Sequence, residues 1–227
     1  MFYFITFLFE LILLFFLSRK LINSLVKLIY KLTRSHRVVV HILALIFLPG
    51  TIIHELAHLL FAGVVLVPVG EMNVLPEIEE KGVKLGSVQI GYTDPLRRMI
   101  VGVAPVLLGM ILIFSIFLLV KIGTSPWWQV ILAIYLLFEI GNTMFSSRKD
   151  IEGSILFVIL ILAVAAAILV VLYFLNPALI QKIWLWSNGL NLEGASNFFE
   201  TASIYLIVPV VLDFSAIFLT KPFAGRS

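Results

Sequence analysis

The chain has 227 residues, of which 61% are hydrophobic and 13% charged. Soluble domains carry about 25% charged and about 45–50% apolar residues, so there is too little polar surface here to coat a water-soluble globule, and the same hydrophobicity excludes disorder. The absence of cysteine excludes a disulfide scaffold and any cysteine-ligated metal centre, and a net charge of +3 is too small and dispersed for nucleic-acid binding. The expected class is an all-α integral membrane protein: one polytopic domain over 1–227, about six transmembrane helices, and the lipid bilayer as its solvent.

A transmembrane helix needs roughly 20 mostly apolar residues. The first such run is Met1–Leu17; the basic residues Arg19 and Lys20 follow it, the reverse of a cleavable signal peptide. Its lone carboxylate, Glu10, reads as a near-interface or helix-facing residue. Residues 18–37 interleave Arg19, Lys20, Lys27, Lys31, Arg34 and Arg37 with leucine, isoleucine and valine, which predicts an amphipathic helix lying at the headgroups. The second run, Val38–Val69, would reach about 48 Å as a straight helix against a hydrocarbon core of about 30 Å, and Pro49-Gly50 is expected to divide it.

Residues 70–98 form the extended polar stretch, and glycines at 82, 86 and 91 with short alternation between them predict a small membrane-surface β-hairpin between the second and third spans. Further spans are expected at Met99–Val120, at Trp127–Ser146 with Trp127 and Trp128 as interfacial anchors, at Gly153–Leu175 and at Ile204–Thr220, with a polar connector over 176–203. There is no sequence repeat of the kind that marks inverted-repeat transporters. Lysine and arginine balance on the two sides, so they do not orient the chain.

His54-Glu55-Leu56-Ala57-His58 is an H-E-x-x-H motif. On a helix, residues four apart differ by about 40° around the axis and about 6 Å along it, so both imidazoles project from one face toward one Zn²⁺. Zinc lowers the pKa of a bound water from about 15.7 to about 7, and Glu55 is placed to take and return its proton as general acid/base. Three ionisable residues within five positions of an apolar helix are expensive and mark a functional site. The bland alternative is two neutral histidines bonded to neighbouring helices beside a protonated Glu55. His36 and His41 read as structural or interfacial.

Catalytic zinc usually takes a third protein ligand. The carboxylates near the spans are Glu10, Glu139, Asp150, Glu152 and Asp213; Asp150 follows the fourth span, which is able to enter the same pocket as the second. At this point the chain resembles the site-2 protease family of intramembrane zinc metalloproteases. That family pairs a membrane-embedded H-E-x-x-H with a distant Asn…Asp-Gly motif, and Asn142 and Asp150 have its eight-residue separation. The chain departs from the pattern with Ser146, Ser147 and Lys149 before the aspartate and Gly153 three residues after it. Gly102-Val-Ala104-Pro105 resembles the family's small-residue Gly-Pro segment.

Over roughly 40–155 the resemblance implies a core of three helices (about 38–155) holding zinc through His54, His58 and Asp150, with 1–37 and 153–227 as flanking helices. It implies Asn142 as a substrate-binding or ligand-orienting residue, and as substrate the transmembrane segment of another protein, cut in or near the bilayer. Such a segment must be unwound before its carbonyl is attackable, and residues 82–92 are the candidate edge to hold it by β-addition. Asp213 is the rival third ligand, and Glu139 takes that place if the chain is instead a membrane zincin of the prenyl-protease kind. The competing functional classes are an inactive homologue acting as a membrane scaffold and a transporter using the histidines as a relay.

Overall fold

The computed structural model describes residues 2–79, 82–120, 123–145, 148–178, 182 and 193–224; side chains at 79, 82, 148–156, 158, 195 and 222–224 lie outside that description. It is a mostly helical bundle. In chain order come α1 (Phe2–Thr33), α2 (His36–Val64), β1 (Val69–Asn73), β2 (Glu77–Glu79), β3 (Gly82–Lys84), β4 (Ser87–Ile90), α3 (Pro95–Leu119), α4 (Trp127–Thr143), α5 (Arg148–Leu175) and α6 (Glu193–Ala224). Among the described residues, His36–Val64, Pro95–Leu119 and Ser196–Lys221 are long and apolar enough to cross a membrane.

Three boundaries differ from the sequence reading, the last being α6, which begins at Glu193, inside the stretch 176–203 expected as a polar connector. The run Met1–Leu17 and the basic segment 18–37 are not separate helices: α1 is continuous to Thr33, and Arg34, at φ 51°, makes the turn into α2. No helix breaker stands between Leu17 and Thr33, and the apolar side of the basic segment has a protein partner. Ile22 and Ile29 pack in one cluster with Val39, Leu43 and Phe47 of α2, so that face is buried against the bundle. The second difference is at Pro49, which α2 passes through without a break.

The ends of the other elements follow local chemistry. Asp94 caps α3 by accepting from the Arg97 amide (3.0 Å), and Pro95 takes the first helical position, where a missing N–H costs nothing. α2 ends in a Schellman-type turn: Val67 N–H reaches the Ala62 carbonyl at 2.8 Å, Leu66 N–H the Gly63 carbonyl at 3.2 Å, and Leu66 sits at φ 56°. Buried Val67 then packs on Ala62 and on Val101 of α3.

The predicted hairpin is present, in a nested form. β1 pairs antiparallel with β4 and β2 with β3, with an irregularity between Val69 and Met72. It does not stay at the helix ends. Leu85, in the β3–β4 link, is 1% exposed and belongs to the α1/α2 cluster. Gly86 lies against Thr51 and Glu55 of α2. Thr51 stands thirteen positions before Val64, about 20 Å of helix. The β3–β4 link therefore reaches well down the length of α2, because Leu85 is apolar and has a core to join.

Three helices form the centre. Tyr135 meets Ile46, Phe138 stacks on Phe47, and Glu139 meets Gly50, so α4 runs in the same direction as α2. α3 runs the opposite way: its Val101 is level with His58, while its Gly109 lies against Ile140 and Met144 of α4. α1 and α6 lie along one another on the flank, with Phe4 and Phe7 against Phe199 and Leu14 in one cluster with Leu206. α5 packs on α3.

Gly141 is the close approach that joins the flank to the centre. A Cβ there would stand 3.0 Å from Pro209 Cβ and 3.2 Å from Leu14 Cδ2. Gly141→Val is expected to push α4 off α6 and α1 and to destabilise the fold by about 1–3 kcal/mol, the usual cost of overpacking, read from unfolding of the detergent-solubilised protein in an SDS titration.

Candidate metal centre

The H-E-x-x-H residues lie in the middle of α2 and are withdrawn from the surface: His54, Glu55 and His58 are 3%, 2% and 5% exposed. One helical turn separates the two histidines, and their Nε2 atoms converge to 3.3 Å. Zinc bonds imidazole nitrogen at about 2.0–2.1 Å, and two such bonds at a tetrahedral angle set the nitrogens about 3.3–3.4 Å apart. The two rings fit one such ion.

The tautomer fits as well. His58 Nδ1 lies 2.8 Å from the Val101 carbonyl, a partner able only to accept, so Nδ1 carries the hydrogen and Nε2 presents its lone pair to the site. That carbonyl is available for a sequence reason. In an α-helix the carbonyl of residue 101 accepts from the N–H of residue 105, and residue 105 is proline. Pro105 leaves the Val101 carbonyl without its helical partner, and His58 supplies the replacement. The small-residue segment Gly102–Pro105 is buried throughout, which lets α3 approach α2 closely enough for the bond.

Glu55 faces the hairpin. A Cβ on Gly86 would stand 2.7 Å from Glu55 Oε1, 2.6 Å from Thr51 Cγ2 and 3.0 Å from the Asn73 carbonyl. Glycine is what lets the β3–β4 link close over the carboxylate.

The remaining candidates fall into two groups. Asp150 is in the first turn of α5, just past the end of α4, and its side chain lies outside the described residues. Because α4 runs parallel to α2 and Thr143 is level with Gly50, the chain leaving α4 emerges toward the level of the motif. Glu139, Asn142 and Asp213 are described, and all three are buried. Asn142 Nδ2 donates to Asp213 Oδ1 at 2.8 Å and to the Phe138 carbonyl at 3.0 Å; Glu139 Oε2 accepts from the Gly50 amide at 3.1 Å. Among the described residues, no group of three His, Asp or Glu side chains is arranged to hold a metal ion.

The Asn142–Asp213 bond was not visible in the sequence. The sequence reading takes Asn142 as a substrate-binding or ligand-orienting residue and Asp213 as the rival of Asp150 for the third-ligand place; the bond between α4 and α6 needs the parallel packing of α1 and α6, which no local pattern encodes. His36 stacks on Tyr30 at 4.5 Å and His41 Nδ1 lies 2.7 Å from the Arg37 carbonyl, both exposed and away from the pair.

The chain matches no family model, no curated protein and no solved structure.

Pro105→Ala tests the role of the freed carbonyl. The new N–H competes for Val101, His58 loses its fixed tautomer, and zinc affinity is expected to fall about 10–100-fold, the usual cost of losing such a supporting bond. A competition titration against a chromophoric chelator measures it.

Proposed function

We propose that the protein is a multi-pass membrane zinc endopeptidase that cuts a peptide bond in or near the transmembrane segment of another membrane protein. The observation that carries this reading is the convergence of His54 and His58 Nε2 at 3.3 Å in a buried site, with Glu55 on the same helical turn. His54 and His58 would hold the ion, and Asp150 is the proposed third ligand, on its eight-residue spacing from Asn142 and its place at the α4–α5 junction. Zinc held there supplies Lewis acidity, which polarises a carbonyl and makes water nucleophilic at neutral pH.

The chain's own residues do the rest. Glu55 takes a proton from the attacking water and delivers it to the departing amine nitrogen. The hairpin closes over this carboxylate at Gly86 and limits bulk water around it. Among the described residues β1–β4 and β2–β3 are two-stranded sheets, so each strand has one edge without a strand partner there, and β4 lies beside α2. An unwound substrate segment adds to such an edge through main-chain hydrogen bonds, which bind any sequence and hold the peptide extended. Both donor hydrogens of Asn142 are committed within the bundle, so its part is to tie α4 to α6 behind the site. With the three long apolar helices, α1, α4 and α5 complete a six-helix bundle in a cell membrane.

Two variants test the chemistry. Glu55→Gln is expected to keep zinc at wild-type stoichiometry and to lower cleavage of a model transmembrane substrate at least about 100-fold, within the range for loss of a general acid/base. Undiminished cleavage overturns the mechanism. Gly86→Ala is expected to leave zinc bound and to lower kcat, because the added methyl displaces Glu55 or lifts the link; zinc content and cleavage kinetics on one preparation separate the two effects.

A further inference from the structure

Pro49 stands five residues before His54 in the helix that carries the motif. It has no N–H for the Leu45 carbonyl, and a proline ring crowds the preceding turn, which weakens the next rung of the ladder, from the Gly50 N–H to the Ile46 carbonyl. In water such groups are solvated. In an apolar bundle each needs a partner from the protein, because an unsatisfied backbone group in lipid costs several kcal/mol. Both ends of the Gly50–Ile46 rung have a partner on α4. The Ile46 carbonyl accepts from Tyr135 Oη at 3.3 Å, and the Gly50 amide donates to Glu139 Oε2 at 3.1 Å.

Tyr135 and Glu139 are four apart, so they lie one above the other on α4 with the rise of the rung they replace. The helices are pressed together at this point. A Cβ on Gly50 would stand 2.7 Å from Thr143 Oγ1 and 2.8 Å from the Glu139 carbonyl, and Thr143 Oγ1 in turn donates to that carbonyl at 2.8 Å. Glu139 is fully buried and holds Gly50, four residues before His54 in the same helix.

We propose that Glu139, assisted by Tyr135, is a positioning residue: it replaces the backbone hydrogen bond that Pro49 weakens and thereby sets the direction of the turn bearing His54 and His58. Glu139 is then neither a metal ligand nor a proton carrier. It acts through the backbone of α2, and α4 becomes a splint across the weak point of the motif helix. The backbone half of this proposal stands on geometry alone; the positioning half rests on the zinc reading of the histidine pair.

The test is a cycle between Glu139 and Pro49 in the full-length protein, in nanodiscs, with two readouts. The first is hydrogen exchange of the Gly50 amide, followed by NMR on ¹⁵N-glycine-labelled protein. Glu139→Ala is expected to speed it at least about tenfold, as loss of a hydrogen bond to a charged or buried acceptor does. Glu139→Gln keeps an accepting oxygen and is expected to stay within about twofold of wild type. Pro49→Ala lets the helix make its own bond, so the Pro49→Ala/Glu139→Ala pair is expected to return close to the wild-type rate. The second readout is zinc affinity, expected to fall in Glu139→Ala, to persist in Glu139→Gln and to recover in the double variant.

Unchanged Gly50 exchange in Glu139→Ala, or a loss that Pro49→Ala does not repair, overturns the proposal. Loss of zinc in Glu139→Gln with Gly50 exchange intact overturns it in favour of Glu139 as a ligand. A wild-type protein that binds no zinc but shows the exchange pattern upholds the backbone splint and refutes the metalloprotease reading instead.

Discussion

The site depends on the hydrogen bond between His58 Nδ1 and the Val101 carbonyl, and that bond exists because a proline sits four residues further along α3. An apolar environment offers no water to take up a freed backbone group. Proline in such a helix thus creates a demand that a neighbouring side chain must meet. At Pro105 the demand is for a donor, and an imidazole meets it, which fixes the ring's rotation and turns its other nitrogen toward His54. The same rule operates on α2, where Pro49 precedes the motif and side chains of α4 reach both Ile46 and Gly50. The proline expected to divide α2 and the proline of the small-residue segment of α3 are, in the folded chain, a pair of stitches binding three helices around one turn.

The motif and its helix are legible from residue types alone, because a run of His, Glu and His in apolar surroundings has a strong spacing signal. So are the long apolar helices α2, α3 and α6 and the existence of strands between the second and third runs. The continuity of α1 is not. A basic, amphipathic stretch has the same pattern whether its apolar face meets lipid or protein, and only the position of α2 decides that Ile22 and Ile29 meet Leu43 and Phe47. The depth of the hairpin is hidden for a similar reason. Leu85 is one leucine between Lys84 and Gly86, and its burial follows from joining the cluster of Ile22, Val39 and Leu43 on α1 and α2, which local sequence does not describe. Asn142 and Asp213 are 71 positions apart, and their bond is a product of helix packing.

These features converge on one arrangement. Small residues bring the elements close: Gly50 to α4, Gly86 to the motif, Gly141 to α1 and α6. Buried polar groups then fill the contacts that close approach creates, Glu139 on Gly50 and Asn142 on Asp213. The outcome is a closely packed surround for two imidazoles and a carboxylate, with the β3–β4 link against the carboxylate and strand edges nearby. A peptide-cutting reading uses each of these parts.

The central claim is that one divalent ion joins the two imidazoles. Zinc K-edge X-ray absorption on the purified, zinc-loaded protein tests it most directly. The account predicts one zinc per chain with imidazole scattering from two nitrogens at about 2.0–2.1 Å, reduced in His54→Ala and in His58→Ala. A spectrum without imidazole scattering, or one unaltered by both substitutions, would contradict it.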